Sequence, residues 1–460
     1  MRYTITFNED DYSRLTLHLF EDRTVEQAAY LLCGVSRSDE EVRLLVREVL
    51  PANDILEASP HHMKIPSRSF TRALKKADLR NESFVFVHSH PPEADGFSPQ
   101  DDVQEKELSR TASNRIKNPG PHGALILSRP EKPLGRIWLK GGGFALVESV
   151  RIMGRRFRFY FGESGKDEIP PFFDRQVRAF GKEIQILLGR LNVGVVGAGG
   201  TGSCVAEQLI RLGVGSITVA DYDLFDRTNI NRVYGTRLID QSIAKVKLIQ
   251  RTVANIGLGT KLRIIHKPIT FESALRPFRE CDIIFCCTDD QWGRSLLNRM
   301  AYYYLLPVFD MGVKIDSYQG TIRSIEGRVT TIMPPEACLS CRNRIQADAI
   351  NNEVELATNP ELAEKRREEG YAPELPDPDP AVIPFTSAIA SSAISEFLHR
   401  ITGFMGTERT SSEVLYFYDQ GRVRTNRRAQ ASDCFCANRD KWGRGDERKL
   451  LGAIWREENS

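Results

Sequence analysis

The sequence predicts an α/β protein in two parts, an N-terminal α+β region followed by a region built on a mostly parallel sheet. Three observations carry that expectation. The first 150 residues mix apolar strand-like runs with one clear amphipathic helix. At residue 191 the chain reads LNVGVVGAGGTGS, a short apolar run entering a glycine turn and a helix. Further on, SITVAD and CDIIFCCTDD each form a buried apolar run ending on a carboxylate.

Length and composition set the bounds. A chain of 460 residues is long for one domain, and 41% apolar with 27% charged residues is ordinary for a globular protein. With 63 basic against 61 acidic residues, no global charge draws nucleic acid or an anionic membrane. The local basic runs RIMGRRFRFY (151–160) and GRVRTNRR (421–428) read as solvated strand faces or linker, since no recognition helix accompanies them. The start MRYTITFNEDDY lacks the build of a signal peptide, and no window has the apolar length to span a bilayer, so a cytoplasmic location is expected. Nine cysteines, an odd number, then point to metal sites, buried thiols or catalysis rather than a disulfide framework.

In chain order, residues 1–7 alternate as a strand and 9–20 carry weak helical spacing. VEQAAYLLCGV and EVRLLVREVL predict two paired strands, PSRSFTRALKKA a helix, and SFVFVH a buried strand ending on His88. HSHPPEADGFSPQD follows directly. His88 and His90 lie at i and i+2, so in an extended chain their rings share a face, and Ser98 and Asp101 come shortly after. Two imidazoles and one carboxylate, with a fourth position open, form the ligand set of a catalytic zinc, which brings the pKa of its water to about 7.

The spacing H-x-H-x7-S-x-x-D resembles the JAB/JAMM metalloprotease motif, whose members cleave ubiquitin-like proteins from lysines or trim their C-terminal extensions. The resemblance implies a three-layer, cytidine-deaminase-like α+β domain over residues 1–150. It implies His88, His90 and Asp101 as zinc ligands, Glu26 as the general base and Ser98 as the stabiliser of the oxyanion. Relatives often carry Cys-Gly two residues after that glutamate, where this chain has Ala28 and Ala29.

Residues 151–170, basic and then acidic, reach Pro170 and Pro171 and read as a linker. In the second region, 171–436, Gly197, Gly199, Gly200 and Gly202 form a turn that lets backbone N–H groups approach a phosphate at a helix start. The glycines alone leave NAD and ATP both open. The leading helix FFDRQVRAFGKEIQILLGR resembles the start of the ubiquitin-activating and ThiF-type adenylyltransferase family, with a Rossmann-like fold. The spacing of Asp221, Asn229, Arg232, Lys245 and Asp289 extends the resemblance. Eight residues separate Asp221 from Asn229, and three more reach Arg232. The resemblance implies that a carboxylate attacks the α-phosphate of ATP. Arg232, Lys245 and Arg175 then face the leaving phosphates, Asp221, Asp223 and Asn229 contact the nucleotide, and Asp289 holds Mg²⁺. Arg175 would reach across from the partner subunit of a homodimer.

Cys338 and Cys341 form C-x-x-C, and Cys434 and Cys436 form C-x-C. Four thiolates suit a structural tetrahedral zinc, with free thiols as the alternative. The segment 342–383, where the family's crossover loop lies, contains no cysteine nucleophile. The resemblance is therefore to the molybdopterin-type adenylyltransferases, which stop at the acyl-adenylate. Cys33, Cys204, Cys281, Cys286 and Cys287 read as buried strand or helix residues. Residues 384–403 predict a small-residue helix, EVLYFYD a strand, and 437–460 a polar tail.

The combined expectation is a two-activity enzyme acting on a ubiquitin-like or sulfur-carrier protein with a C-terminal glycine: a zinc peptidase and an ATP/Mg²⁺-dependent adenylating domain. No nucleic acid or membrane partner is expected. Two other readings remain, a nicotinamide-dependent oxidoreductase fused to a metal module and a non-catalytic scaffold for a ubiquitin-like fold.

Overall fold

The computed structural model describes residues 1–60, 62–94, 96–117, 120–162, 168–359, 361, 380–406, 409, 411–446 and 450–456. It divides into a first unit of Met1–Lys166, Tyr303–Leu305 and Arg439–Lys449, and a second of Asp167–Tyr302, Leu306–Asn438 and Leu450–Ser460. Among the described residues no helix is long and apolar enough to cross a membrane.

The first unit runs β1 (Arg2–Asn8), α1 (Glu9–Leu19), β2 (Ala28–Arg37), β3 (Glu41–Pro51), β4 (Glu57–Ser59), β5 (His62–Lys64), α2 (Ser67–Arg80), β6 (Ser83–Ser89) and α3 (Pro99–Arg115). It continues through β7 (His122–Leu127), β8 (Pro133–Trp138), β9 (Phe144–Leu146), β10 (Ser149–Met153) and β11 (Arg158–Phe161). Nine of these strands form one sheet in the order β11-β10-β1-β3-β2-β6-β7-β8-β9. Because successive strand residues face opposite ways, β2 feeds two cores. Ala29, Leu31 and Cys33 pack with Leu15 and Leu19 of α1, whereas Ala28, Tyr30 and Leu32 pack with Ala73 and Leu74 of α2 and Ala112 of α3. The result is three layers, with α2 and α3 over the face that carries His88.

The expected linker is instead partly sheet. β10 pairs in parallel with β1, and β11 antiparallel with β10. Two of the four arginines that make 151–160 read as solvated are neutralised inside this unit: Arg151 lies 3.1 Å from Glu41, and Arg158 lies 2.6 Å from Glu9. The expected polar tail is also partly packed. Trp442 and Arg444 are buried, Gly445 bridges Val35, and Asp446 accepts a hydrogen bond of 2.7 Å from the Arg37 amide. Residues 447–449 and 457–460 of that tail lie outside the described residues.

The second unit begins with α4 (Asp174–Phe180), α5 (Lys182–Arg190), β12 (Asn192–Val196), α6 (Gly200–Arg211), β13 (Ser216–Ala220), α7 (Lys245–Ile256), β14 (Lys261–Ile265) and α8 (Glu272–Leu275). After these come β15 (Ile283–Cys286), α9 (Gln291–Tyr303), β16 (Val308–Tyr318), β17 (Thr321–Ile332), α10 (Ala347–Thr358), α11 (Ile383–Thr402), β18 (Glu413–Phe417) and β19 (Arg422–Asn426). Eight strands form a sheet ordered β14-β13-β12-β15-β16-β17-β18-β19. The pairings from β14 through β16 are parallel, and those from β16 through β19 are antiparallel. Chain order reverses between β12 and β15, which opens a crevice at their carboxyl ends, where doubly wound sheets bind ligands. The glycine turn leaves β12 there, and Asp289 follows β15. Of the expected crossover loop, residues 360 and 362–379 lie outside the described residues.

Candidate functional site

In the first unit, β2 and β6 pair antiparallel with Ala28 opposite His88. Carrying that register two residues further sets Glu26, which precedes β2 rather than lying on it, across from His90. Hydrogen bonds of 2.9 Å between Ser89 and Gln27 hold the two chains together at this point. His88 and His90 are 3% and 9% exposed, and their Nε2 atoms are 2.9 Å apart. Asp101 closes the group, with Oδ1 3.2 Å from His88 Nε2 and Oδ2 3.3 Å from His90 Nε2.

Local chemistry at the start of α3 puts Asp101 there. Ser98 is the N-cap, and its hydroxyl donates to Asp101 Oδ2 at 2.8 Å while accepting from the Asp101 amide at 3.2 Å. The Ser98 amide donates to the same carboxylate at 2.7 Å, which completes a capping box. Three donor atoms from two imidazoles and one carboxylate therefore converge within 4.8 Å of one another, a set that fits a divalent cation such as zinc.

Electrostatics follow from this burial. Burial holds the His88 imidazole below its ordinary pKa, which keeps it neutral as a ligand must be. Burial alone would raise Asp101, yet hydrogen bonds from His88 and His90 hold it well below the carboxylate range. Burial pushes Glu26 up to about 7, with His90 opposing and Asp101 reinforcing. Glu26 and His90 line one cleft of about 550 Å³ with Phe20 and Arg129.

Two residues absent from the sequence expectations stand behind these ligands. Glu105, one helical turn after Asp101, approaches His88 Nδ1 to 4.0 Å, and Arg136 of β8 binds Glu105 at 2.8 Å. Burial pushes the Glu105 carboxyl up to about 8 against the pull of Arg136. The i, i+4 spacing of Asp101 and Glu105 was a readable signal; Arg136 had none.

In the second unit the glycine turn is forced by space. Gly197 sits at φ +95°, and a Cβ on Gly202 would stand 1.8 Å from the Gly197 carbonyl oxygen. A Cβ on Gly199 would meet nothing within 4 Å, so the chain leaves room beside the amides that open α6. Asp221, at the end of β13, accepts from the Ala198 amide at 2.6 Å and the Asp223 amide at 2.7 Å, and burial raises its pKa. It therefore braces the glycine turn. Lys245, at the start of α7, bonds Asp223 at 2.7 Å. Arg232 lies against Gly200, with its Nη1 on the Thr228 carbonyl at 2.8 Å. Asn229 is buried in a capping box with Asp226.

Asp289 is exposed and makes no hydrogen bond or ion pair among the described residues. Its neighbour Asp290 instead caps α9 through the Gly293 amide and Thr288 hydroxyl. Glu353 of α10 accepts from the amides of Gln291 at 2.9 Å and Trp292 at 2.7 Å. The structure thus gathers Gly197–Gly202, Asp221, Asp223, Arg232 and Lys245; Arg175, exposed on α4, makes no hydrogen bond or ion pair with them. Asp290 and Glu353 were not anticipated, and Glu353 comes from a distant helix with no local signal.

The four cysteines also meet. Cys338 and Cys434 sulfurs are 3.6 Å apart, as are those of Cys341 and Cys436, and all four lie within 4.8 Å. Hydrogen bonds from neighbouring thiols hold Cys338 below the ordinary thiol range, which favours thiolate at a metal. Cys33, Cys204, Cys281 and Cys286 are buried and Cys287 is half-buried.

Residues 8–138 match the family model described as prokaryotic homologs of the JAB domain, and residues 173–437 match that of the ThiF family. Ubiquitin-like modifier-activating enzyme 5 of Drosophila willistoni is 30% identical over 162 residues, covering 32% of this chain and 38% of that protein. The adenylyltransferase and sulfurtransferase UBA4 of Meyerozyma guilliermondii is 32% identical over 128 residues, covering 27% of this chain and 29% of that protein. This chain therefore spans well under half the length of either relative. A crystal structure of E. coli MccB with MccA-N7isoASN aligns at 15% identity and TM-score 0.46, over 59% of this chain and 76% of that one. The chain belongs to the ThiF family and carries a JAB-like domain at its N-terminal end.

Proposed function

We propose that this chain prepares and activates one ubiquitin-like protein: the first unit cleaves at its C-terminus, and the second adenylates the C-terminal glycine carboxylate with ATP and Mg²⁺. The observation that carries the reading is the coexistence of an open glycine turn flanked by Arg232 and Lys245 with an exposed Asp289, unpaired among the described residues, at the carboxyl ends of β12 and β15.

In the adenylation step a carboxylate oxygen of the glycine forms a bond to the α-phosphorus, and the bond from that phosphorus to the bridging oxygen breaks. Pyrophosphate leaves with the growing negative charge. Lys245, released from Asp223, and Arg232 would bind phosphate oxygens, and the α6 amides would bind the chain of phosphates. Asp289 would hold Mg²⁺, and a second copy of the chain would supply Arg175. A nicotinamide enzyme has no need of an arginine, a lysine and a free carboxylate around its phosphates.

In the first unit His88, His90 and Asp101 would hold zinc, whose chemistry is to polarise the scissile carbonyl and acidify water. Glu26 would take a proton from the water that attacks the scissile carbonyl and return it to the amine as the C–N bond breaks, a role that a pKa of about 7 suits. Ser98 holds Asp101 through its amide, and its hydroxyl, on turning away from Asp101, would donate to the oxyanion. Cys338, Cys341, Cys434 and Cys436 would hold a structural zinc.

The test is pyrophosphate exchange into ATP, stimulated by a ubiquitin-like protein ending in Gly-Gly. Exchange that needs the protein substrate supports the reading; NAD(H) binding without exchange supports the oxidoreductase, and neither supports a scaffold.

A further inference from the structure

Behind the zinc ligands lies a buried charge arrangement that the proposed chemistry does not use. His88 Nδ1 and Glu105 Oε1 are both buried and without a hydrogen-bond partner, and they face each other across 4.0 Å. Glu105 is 2% exposed and Arg136 1%. Burial opposes ionisation of Glu105 while Arg136 favours it, and such a buried pair is often no more stable than an apolar pair of the same volume.

The geometry directs Glu105 at His88. Its Oε2 is taken by Arg136, through Nε and Nη2 at 2.8 Å each, which leaves Oε1 for the imidazole. Arg136 is itself fixed: it also binds Asp102 and lies 3.9 Å over the Phe97 ring and 4.8 Å over that of Trp138. Asp101 and Glu105 stand one turn apart on the same face of α3, so one helix offers both a ligand to the metal and a carboxylate to the ligand's far side. On its other flank His88 stacks on Phe86 with ring centroids 5.2 Å apart.

We infer that Glu105, held by Arg136, is a positioning residue that accepts a hydrogen bond from His88 Nδ1–H and so fixes the tautomer that presents Nε2 to the metal. The inference rests on the zinc reading of His88, His90 and Asp101. Partners of this kind on the far nitrogen of a ligating histidine orient the ring and raise its basicity. A separation of 4.0 Å is beyond hydrogen-bond range. The hydrogen bond therefore requires the ring and the carboxylate to turn toward each other.

The experiment compares the full chain with the double variant Glu105→Leu/Arg136→Met, which removes both charges together and leaves no unpaired arginine. Zinc per chain is measured during chelator competition, and His88→Ala identifies the zinc of the histidine site by losing it. We expect the double variant to bind that zinc roughly 10- to 100-fold more weakly, with the cysteine-site zinc retained. In the cobalt-loaded protein, the wild type should show a slowly exchanging, hyperfine-shifted His88 Nδ1–H resonance that the double variant lacks, a signature that a purely structural role would not move. Unchanged zinc affinity together with an unchanged resonance overturns the inference. If wild type and His88→Ala hold the same zinc, the zinc reading itself falls, and the inference falls with it.

Discussion

At the histidine cluster two of the three candidate ligands are held by other side chains: Ser98 bonds Asp101, and Phe86 stacks on His88. At the nucleotide pocket the rigid surface is backbone, and the charged side chains are engaged with one another. Asp221 bonds the turn, Lys245 bonds Asp223, and Arg232 bonds the Thr228 carbonyl. The first arrangement suits a small cation without rearrangement. The second would have to exchange partners to receive a large anion, so the exposed Asp289 and the space beside Gly199 say more about its ligand than the paired cations do.

The largest effects should separate the two regions outright. His88→Ala should abolish cleavage of a tail-extended ubiquitin-like protein and leave pyrophosphate exchange intact. Asp289→Ala should do the reverse, and Arg232→Ala should slow exchange by about 100- to 1,000-fold. Loss of both activities from either lesion would mean that the sites are not separate.

Next come the glycines. Gly202→Ala places a methyl 1.8 Å from a carbonyl oxygen, so ATP binding should be lost along with stability. Gly199→Ala meets no protein atom. Its melting temperature should stay within about 2 °C of wild type, an effect below ~0.5 kcal/mol, while ATP affinity falls because the methyl stands in phosphate space. Equal ATP affinity in that variant would move the phosphates elsewhere.

Cys338→Ser should release the cysteine-site zinc and lower the melting temperature by roughly 6–12 °C, for a loss of about 3 kcal/mol. The histidine site should keep its zinc.

The smallest expected effect is on pH. A general base works ionised, so the cleavage rate should rise with pH through the Glu26 titration. Its midpoint should lie at or below about 7, because burial raises that carboxyl while a bound cation lowers it. In Glu26→Gln the residual rate should lose this acid limb. A midpoint unmoved by that substitution would remove Glu26 as the base.

Much of both sites was legible because their residues are local in sequence or follow strand ends. The i, i+2 histidines, the S-x-x-D box and the glycine turn each obey a short-range rule, and the structure assembles each as its spacing implies. Long-range pairings were not legible. The arginines of 151–160 read as linker because Glu41 and Glu9, which neutralise two of them, lie far back in the chain. Trp442 and Arg444 are buried within a run whose polarity reads as tail. Arg136 reaches Glu105 from another strand, and Glu353 caps α9 from 62 residues beyond Gln291. Local patterns carry no trace of such meetings.

The central claim is that the second unit activates a protein carboxylate rather than using a nicotinamide, and pyrophosphate exchange measures that directly. With a ubiquitin-like protein ending in Gly-Gly, labelled pyrophosphate should enter ATP, and removing the terminal glycine or substituting Asp289→Ala should stop it. Exchange that is absent with every such tail, or that proceeds equally without the protein, would contradict the account.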